Sequence, residues 1–272
     1  MLKNILHIPY FIYVTVLFVS LILLSFPITL LLLLFPTKIK DYGMFWLMKI
    51  ISNIWFFCMG VLTINYNRTK IDKSKSYLIT PNHQSFIDAA IIYTSIGQIF
   101  KTLGKIEIEK TPIYGIIYKT VVVTVDRSSM TARANSLRKM KKELDEGKSI
   151  VVFPEGTFPN EPNSLLSPFQ AGGFALALMQ EVDVLPILFI DSANRLHPSK
   201  LLQFTPGRNR AVYLPPIDVK KFDKKDSEGL KTFAQIYMQQ CLDYIRKDGT
   251  KSAWEFGILY QQDYFNSKIT NV

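Results

Sequence analysis

The stretch Pro81-Asn82-His83-Gln84-Ser85-Phe86-Ile87-Asp88 sets a histidine and a carboxylate five residues apart in an otherwise apolar context. An imidazole held by a carboxylate at one nitrogen keeps the other nitrogen free to accept a proton. On one continuous helix, residues five apart stand ~140° out of phase and do not face each other. His83 must therefore precede a helix, with Asp88 in the first turn reaching back to it. No enzyme nucleophile is needed if the proton comes from a substrate hydroxyl. The same residues also fit an N-terminal capping box, with Ser85 as cap and Asp88 closing the box. The two readings are compatible, because a carboxylate has two oxygens.

A second candidate loop is Pro154-Glu155-Gly156-Thr157-Phe158. Gly156 lets backbone approach a ligand, Thr157 offers a hydroxyl, and Glu155 could hold a sugar-like or glycerol hydroxyl. A plain glycine turn is the competing reading. A third strand end is Asp126-Arg127, after the β-branched run Val121–Val125. It reads as a structural ion pair or as an arginine placed to grip phosphate. Open α/β sheets put ligands at such strand ends.

Positioning these loops requires a particular set of elements. Ser76–Thr80 and Ser149–Phe153 read as short buried strands, and Ala89–Tyr93 continues a helix after the histidine. Ser128 or Ser129 opens a helix with Met130, Leu137, Met140 and Leu144 on one face, stopped by Gly147. Phe169–Gln180 reads as a helix whose Gly172 and Gly173 allow close packing. Pro186 places the strand Val184–Ile190 at an edge or bulge. Arg208 and Arg210 precede a strand at Ala211–Leu214, and Ser227 begins an amphipathic helix closed by Gly249. His197 reads as a surface-loop residue, and the tail after Lys251 shows no clear pattern. The expectation is an α/β fold, a mixed and largely parallel sheet covered by helices, with an N-terminal membrane-embedded helical segment. Residues 1–65 would hold the membrane-associated helices, 66–249 the main domain and 250–272 a tail.

No Asp, Glu, Lys or Arg lies between Lys3 and Lys38. As straight helix that run reaches ~50 Å, beyond a ~30 Å hydrocarbon core, so it must tilt, kink at Pro27 or turn back. It is far longer than the apolar core of a signal peptide, and no small-residue cleavage site follows. Tyr42–Leu62, with Trp46, Trp55 and Lys49, looks interfacial. Lysines at both flanks suit a helical pair dipping into one leaflet with both ends cytoplasmic. The net charge of +10 fits attraction to an anionic membrane surface. Zinc-finger spacing and aromatic-interleaved basic patches are missing, which argues against nucleic acid. Cys58 and Cys241 indicate neither a disulfide framework nor a metal site.

Taken in order, the motifs resemble the glycerolipid acyltransferase family that contains the 1-acylglycerol-3-phosphate acyltransferases. Asn82-His83 with Asp88 matches its His-x4-Asp signature. Lys105, Glu107, Pro112 and Gly115 follow its next block, ending in Asp126-Arg127. Phe153–Thr157 matches its Glu-Gly-Thr block, and Val184–Ile187 falls where its Pro-containing strand belongs. The resemblance implies transfer of an acyl group from acyl-CoA or acyl carrier protein to a lysophospholipid hydroxyl, giving phosphatidic acid from 1-acylglycerol-3-phosphate. It makes His83 the general base and Asp88 its orienter, with Asn82, Lys105, Arg127, Glu155, Gly156 and Thr157 toward substrate. It implies no cofactor and no metal, and a bacterial inner-membrane protein with its catalytic domain cytoplasmic. Four positions depart from the pattern: Phe158 replaces the arginine after Glu-Gly-Thr, Gln170 a lysine, Val121 a glycine and Asp183 a proline. Lys105, Arg127, Arg208 or Arg210 would then supply the phosphate's partner, or the acceptor is another lysolipid such as an aminoacyl lysolipid. A membrane lipid-binding adaptor that kept the fold is the non-enzymatic alternative.

Overall fold

The computed structural model describes residues 2–126, 129–158 and 166–270. The chain runs through α1 (Leu2–Leu32), α2 (Thr37–Cys58), β1 (Val61–Tyr66), β2 (Leu78–Pro81), α3 (Asp88–Ser95) and β3 (Phe100–Lys105). It continues with α4 (Tyr114–Val121), β4 (Val122–Val125), α5 (Met130–Asp145), β5 (Ser149–Val151) and α6 (Gly172–Gln180). The last elements are β6 (Val184–Phe189), α7 (Ser192–Arg195), β7 (Gly207–Tyr213), α8 (Ser227–Asp248) and α9 (Ala253–Thr270). This is the α/β fold expected, with a mixed, mostly parallel sheet and covering helices. The chain divides into two compact units, each drawn from separate stretches of sequence.

The first unit comprises residues 1–64, 84–151 and 191–209. Its strands β4, β3 and β5 are parallel, with β3 in the middle. Helix α1 is apolar and long enough to cross a membrane over His7–Leu32, and its side chains are largely exposed. It packs antiparallel on α2: Tyr10 Oη donates to Met59 O at 2.6 Å and Trp55 Nε1 to Val14 O at 3.1 Å. The outward face of this hairpin stays apolar, with Leu34 82% and Phe57 85% exposed. Bare apolar area of this kind marks a surface that something other than water covers.

Behind α2 lies a buried ion network. Lys101 Nζ donates to Asp41 Oδ1 at 2.8 Å and also to Thr120 O. Lys148 Nζ donates to Asp41 Oδ2, to Glu143 and, at 2.8 Å, to Glu146. Burial pushes the Asp41 carboxyl up, but the bonds from Lys101 and Lys148 outweigh it and hold its pKa below the ordinary value. Asp41, Glu143 and Glu146 bring carboxylate oxygens within 4.8 Å of one another, a spacing that could suit a metal ion. The Lys148 ammonium already stands among them as their shared cation. The network fastens α2 to strands β3 and β5.

The turn before α4 carries backbone strain. Ile113 has φ +61° and ψ −61°, and Tyr114 N bonds Pro112 O at 2.6 Å, a γ-turn in the left-hand region. A β-branched residue there costs on the order of 1–3 kcal/mol. Gly115 follows because a Cβ would fall 2.2 Å from Glu109 O. Helix α5 opens at Ser129, whose side chain accepts from Ala132 N. Met130 is 85% exposed and lies off the buried face assigned to it from spacing.

The second unit comprises residues 65–83, 152–190 and 210–272. Strand β6 pairs parallel with β2 and antiparallel with β7. Pro186 is therefore interior, not the edge or bulge residue that its type predicts. Ile190 N bonds Arg210 O, and the two-residue repeat puts Pro186 opposite Leu214, whose N–H bonds Pro186 O at 3.1 Å. The one bond that proline cannot donate falls where β7 has already ended, so the ladder loses little. Helix α6 begins at Gly172, later than expected. A Cβ at Gly172 would meet nothing and one at Gly173 only ordinary contacts, so close packing does not require these glycines. The tail forms α9 on α8, through Phe233–Tyr264 and Tyr244–Phe256 ring pairs at 4.4 and 4.3 Å. Burial pushes the Cys241 thiol up to about 12, so this cysteine is a packing residue.

Asp41→Asn should lower stability by ~3 kcal/mol, because it leaves buried Lys101 without its counter-charge. The sign follows from the depressed Asp41 pKa: its contribution is full above the unfolded value and fades as pH falls through the lower folded value. Thermal unfolding in detergent should therefore separate parent and variant at neutral pH and bring them together below about pH 4.

Candidate active site

The histidine loop is built from the end of β2. Asn82 is fully buried, and its amide pairs with one backbone unit: Phe189 N donates to Oδ1 at 2.6 Å and Nδ2 donates to Phe189 O at 3.1 Å. It extends the parallel β2–β6 ladder by one side chain and fixes the chain direction just before His83. Its seat is thus in the sheet, whereas the family resemblance sends it toward substrate.

The second loop emerges beside the first, because Val152 N bonds Ile79 O at 2.9 Å and so pairs its strand with β2. Gly156, at φ +69°, closes a turn with its N–H on Phe153 O. That conformation is strained for any residue with a side chain, which accounts for glycine here. Glu155 is 3% exposed. One oxygen accepts from His83 N at 2.8 Å and the other from Ser167 N at 2.7 Å. The sequence offers Glu155 a substrate hydroxyl; the fold gives it two backbone amides, one belonging to the histidine. Thr157 is exposed on the same loop.

Two rings pack on the His83 imidazole: Phe153 stacks at 4.1 Å between centroids, and Phe158 lies at 4.3 Å, tilted by 46°. Neither aromatic contact is evident from motif spacing. The signal that could have found them is the pair of phenylalanines bracketing Pro154–Thr157.

In the first unit, Asp88 sits in the opening turn of α3, fully buried. Its Oδ2 accepts from Gln84 N at 2.7 Å and Ser85 N at 2.8 Å, which curls the loop that follows the histidine. A carboxylate here is further favoured by the positive end of the helix. Only half of the capping box forms. Ser85 Oγ donates to Leu196 O at 2.6 Å, and Asp88 N bonds Ser85 O, so Ser85 is not the helix cap. The loop's path is set by that long-range bond instead.

Among the remaining candidates, Lys105 is exposed at the end of β3, and Arg127 lies outside the described residues. Arg208 and Arg210 lie within β7, not before it. His197 sits in a surface turn with Ser199, as expected.

Comparison with known proteins bears on this arrangement. Residues 63–190 match the family described as Acyltransferase. A probable 1-acyl-sn-glycerol-3-phosphate acyltransferase of Mycoplasma pneumoniae is 25% identical over 70% of this chain and 77% of its own length. The 1-acyl-sn-glycerol-3-phosphate acyltransferase of Borreliella burgdorferi is 26% identical over 74% of this chain and 80% of its own. The crystal structure of the 1-acyl-sn-glycerophosphate (LPA) acyltransferase PlsC from Thermotoga maritima shares the fold, with TM-score 0.74. That likeness covers 90% of this chain and 97% of the other at 19% identity.

The geometry makes Glu155 a residue that holds the histidine loop. Glu155→Gln replaces an acceptor oxygen with an NH2 group facing an N–H, and removes charge-assisted bonds worth ~1.5–3 kcal/mol. Steady-state kinetics should show kcat reduced on the order of tenfold to a hundredfold. The acceptor KM should stay within about twofold if the loss is of positioning.

Proposed function

We propose, from the match to the Acyltransferase family model and the similarity to 1-acyl-sn-glycerol-3-phosphate acyltransferases, that this chain is a glycerolipid acyltransferase and acylates the free hydroxyl of 1-acylglycerol-3-phosphate, giving phosphatidic acid. The observation that carries this reading is the 2.8 Å bond from His83 N to Glu155, which joins the family's two motif loops at adjacent strand ends. In the proposed reaction His83 takes the proton of the lipid hydroxyl as its oxygen attacks the thioester carbonyl carbon. The C–S bond then breaks, and the leaving thiolate takes the proton back from the imidazolium. Asp88 orients the imidazole. The donor is a thioester of coenzyme A or acyl carrier protein, and no acyl-enzyme forms.

Helix α1 and the outer face of α2 are proposed to sit in the membrane, where lipid covers the exposed apolar side chains. The net charge of +10 draws the protein to anionic headgroups. Lys105 and Arg127 are proposed to meet the acceptor phosphate. The Phe158 ring on His83 favours one second reading, an acceptor whose group near the base is uncharged, such as an aminoacyl lysolipid.

His83→Ala should lower thioester-dependent acylation by ~10²–10⁴ in detergent assays; full activity in the variant would remove the histidine from the mechanism. Lys105→Gln should raise KM for 1-acylglycerol-3-phosphate several-fold and leave donor KM unchanged. A panel of phosphorylated and uncharged lysolipid acceptors separates the two readings. Lipid binding without turnover of any thioester would point to the adaptor.

A further inference from the structure

Two phenyl rings at 4.1 and 4.3 Å from the imidazole do more than fill space. We propose that Phe158 is a positioning residue for His83, which acts with Phe153 to fix the ring's plane and to keep water off it, so that the acyl group passes to a lipid hydroxyl and not to water. The inference rests on the acyl-transfer reading of the site.

The physical case begins with the loop. Glu155 holds the His83 backbone, and a backbone anchor does not by itself set the plane of the ring, on which Phe153 and Phe158 pack. Aromatic contacts of this kind prefer defined ring orientations. They act on the faces of the ring, whereas its nitrogens lie at the edge. His83 is half-buried, and Phe158 lies on the same loop as Glu155, three residues on. One short segment thus supplies the backbone clamp and both rings.

Selectivity follows from chemistry. A base that can take a proton from a lipid hydroxyl can also take one from water. Water adding to the thioester carbonyl breaks the same C–S bond, sends the same proton to the thiolate, and releases free fatty acid. Apolar rings around the base disfavour a bound water, whereas a lipid hydroxyl arrives with apolar surface of its own.

The test uses the full chain in detergent, with a long-chain acyl-CoA and 1-acylglycerol-3-phosphate. Phe158→Ala should raise the ratio of fatty acid released to acyl transferred by at least about tenfold, with both KM values within about threefold of the parent. Phe158→Leu keeps apolar volume without a ring and should fall between. Phe158→Tyr keeps a ring on the imidazole and should bring the ratio back to within about twofold of the parent. A ratio that Phe158→Ala leaves unmoved would overturn the proposal, as would an effect confined to acceptor KM.

Ethoxycarbonylation of His83 by diethyl pyrocarbonate, read by peptide mass spectrometry with His197 as internal control, needs no turnover. Faster modification in Phe158→Ala supports the shielding, and equal rates overturn it. A parent chain that acylates no lysolipid sinks the acyl-transfer reading by itself, while the modification rates still decide the contact.

Discussion

A carboxyl group taken out of water needs strong partners, and Glu155 has two: the amides of His83 and Ser167. A carboxylate presents a separate charged oxygen to each of two N–H groups and carries no donor to clash with either. Reach then decides between Glu and Asp, because the acid must span from its own turn to the neighbouring strand-end loop. The bond does for the loops what ladder bonds do for strands. It begins where the strand pairing of Val152 with Ile79 ends. Asn82 performs the same task on the other side of β2, using an amide because its partner there is one N–H and one C=O. The histidine is thus fixed in the main chain by residues that keep their polar atoms on the backbone.

That division of labour changes how the motif is read. Asn82, next to His83 in sequence, and Glu155, in the second motif loop, look like substrate ligands. In the fold they are braces, and two apolar side chains, Phe153 and Phe158, pack on the imidazole. Asp88 behaves similarly in its own unit, where Gln84 and Ser85 amides bind one of its oxygens. A short loop between strand and helix leaves backbone amides that neither element satisfies. The acidic residues of the motifs meet that need as well as any chemical one.

What was legible in the sequence follows from how local each cause is. The strand-to-helix turn at His83, the second loop at Glu155, the strand at Val122–Val125 and helix α8 rest on β-branched runs, glycine stops and helical spacing within a dozen residues. The ion network rests on residues 60 and 107 positions apart, Asp41 with Lys101 and Asp41 with Lys148, and no window of sequence contains it. Pro186 misleads because its rule concerns a missing donor, and the damage depends on where β7 happens to end. Ser85 misleads because Leu196 O, far along the chain, takes the hydroxyl that a capping box would use. Helix α9 is hidden because its aromatic residues pack on α8 without an amphipathic repeat of their own. Phe158 looks like the loss of an arginine until the ring beneath it is seen.

The apolar hairpin and the loop carrying Asp88 belong to the same compact unit, and the packing between them is direct. Lys49 of α2 donates to Ile96 O at the end of α3, while Phe45 meets Tyr93 of α3 and Phe100 of β3. Asp41, one turn from the start of α2, is pinned by lysines from β3 and from just before β5. The hairpin is therefore not a tether on a flexible linker. Its inner face completes the core behind α3, and its outer face is left apolar. For a substrate whose hydroxyl sits at a headgroup and whose chain stays in lipid, this matters energetically. Pulling such a chain into water would cost about 0.8 kcal/mol per methylene. The bare apolar face of the hairpin offers such a chain cover from water within the unit that carries Asp88.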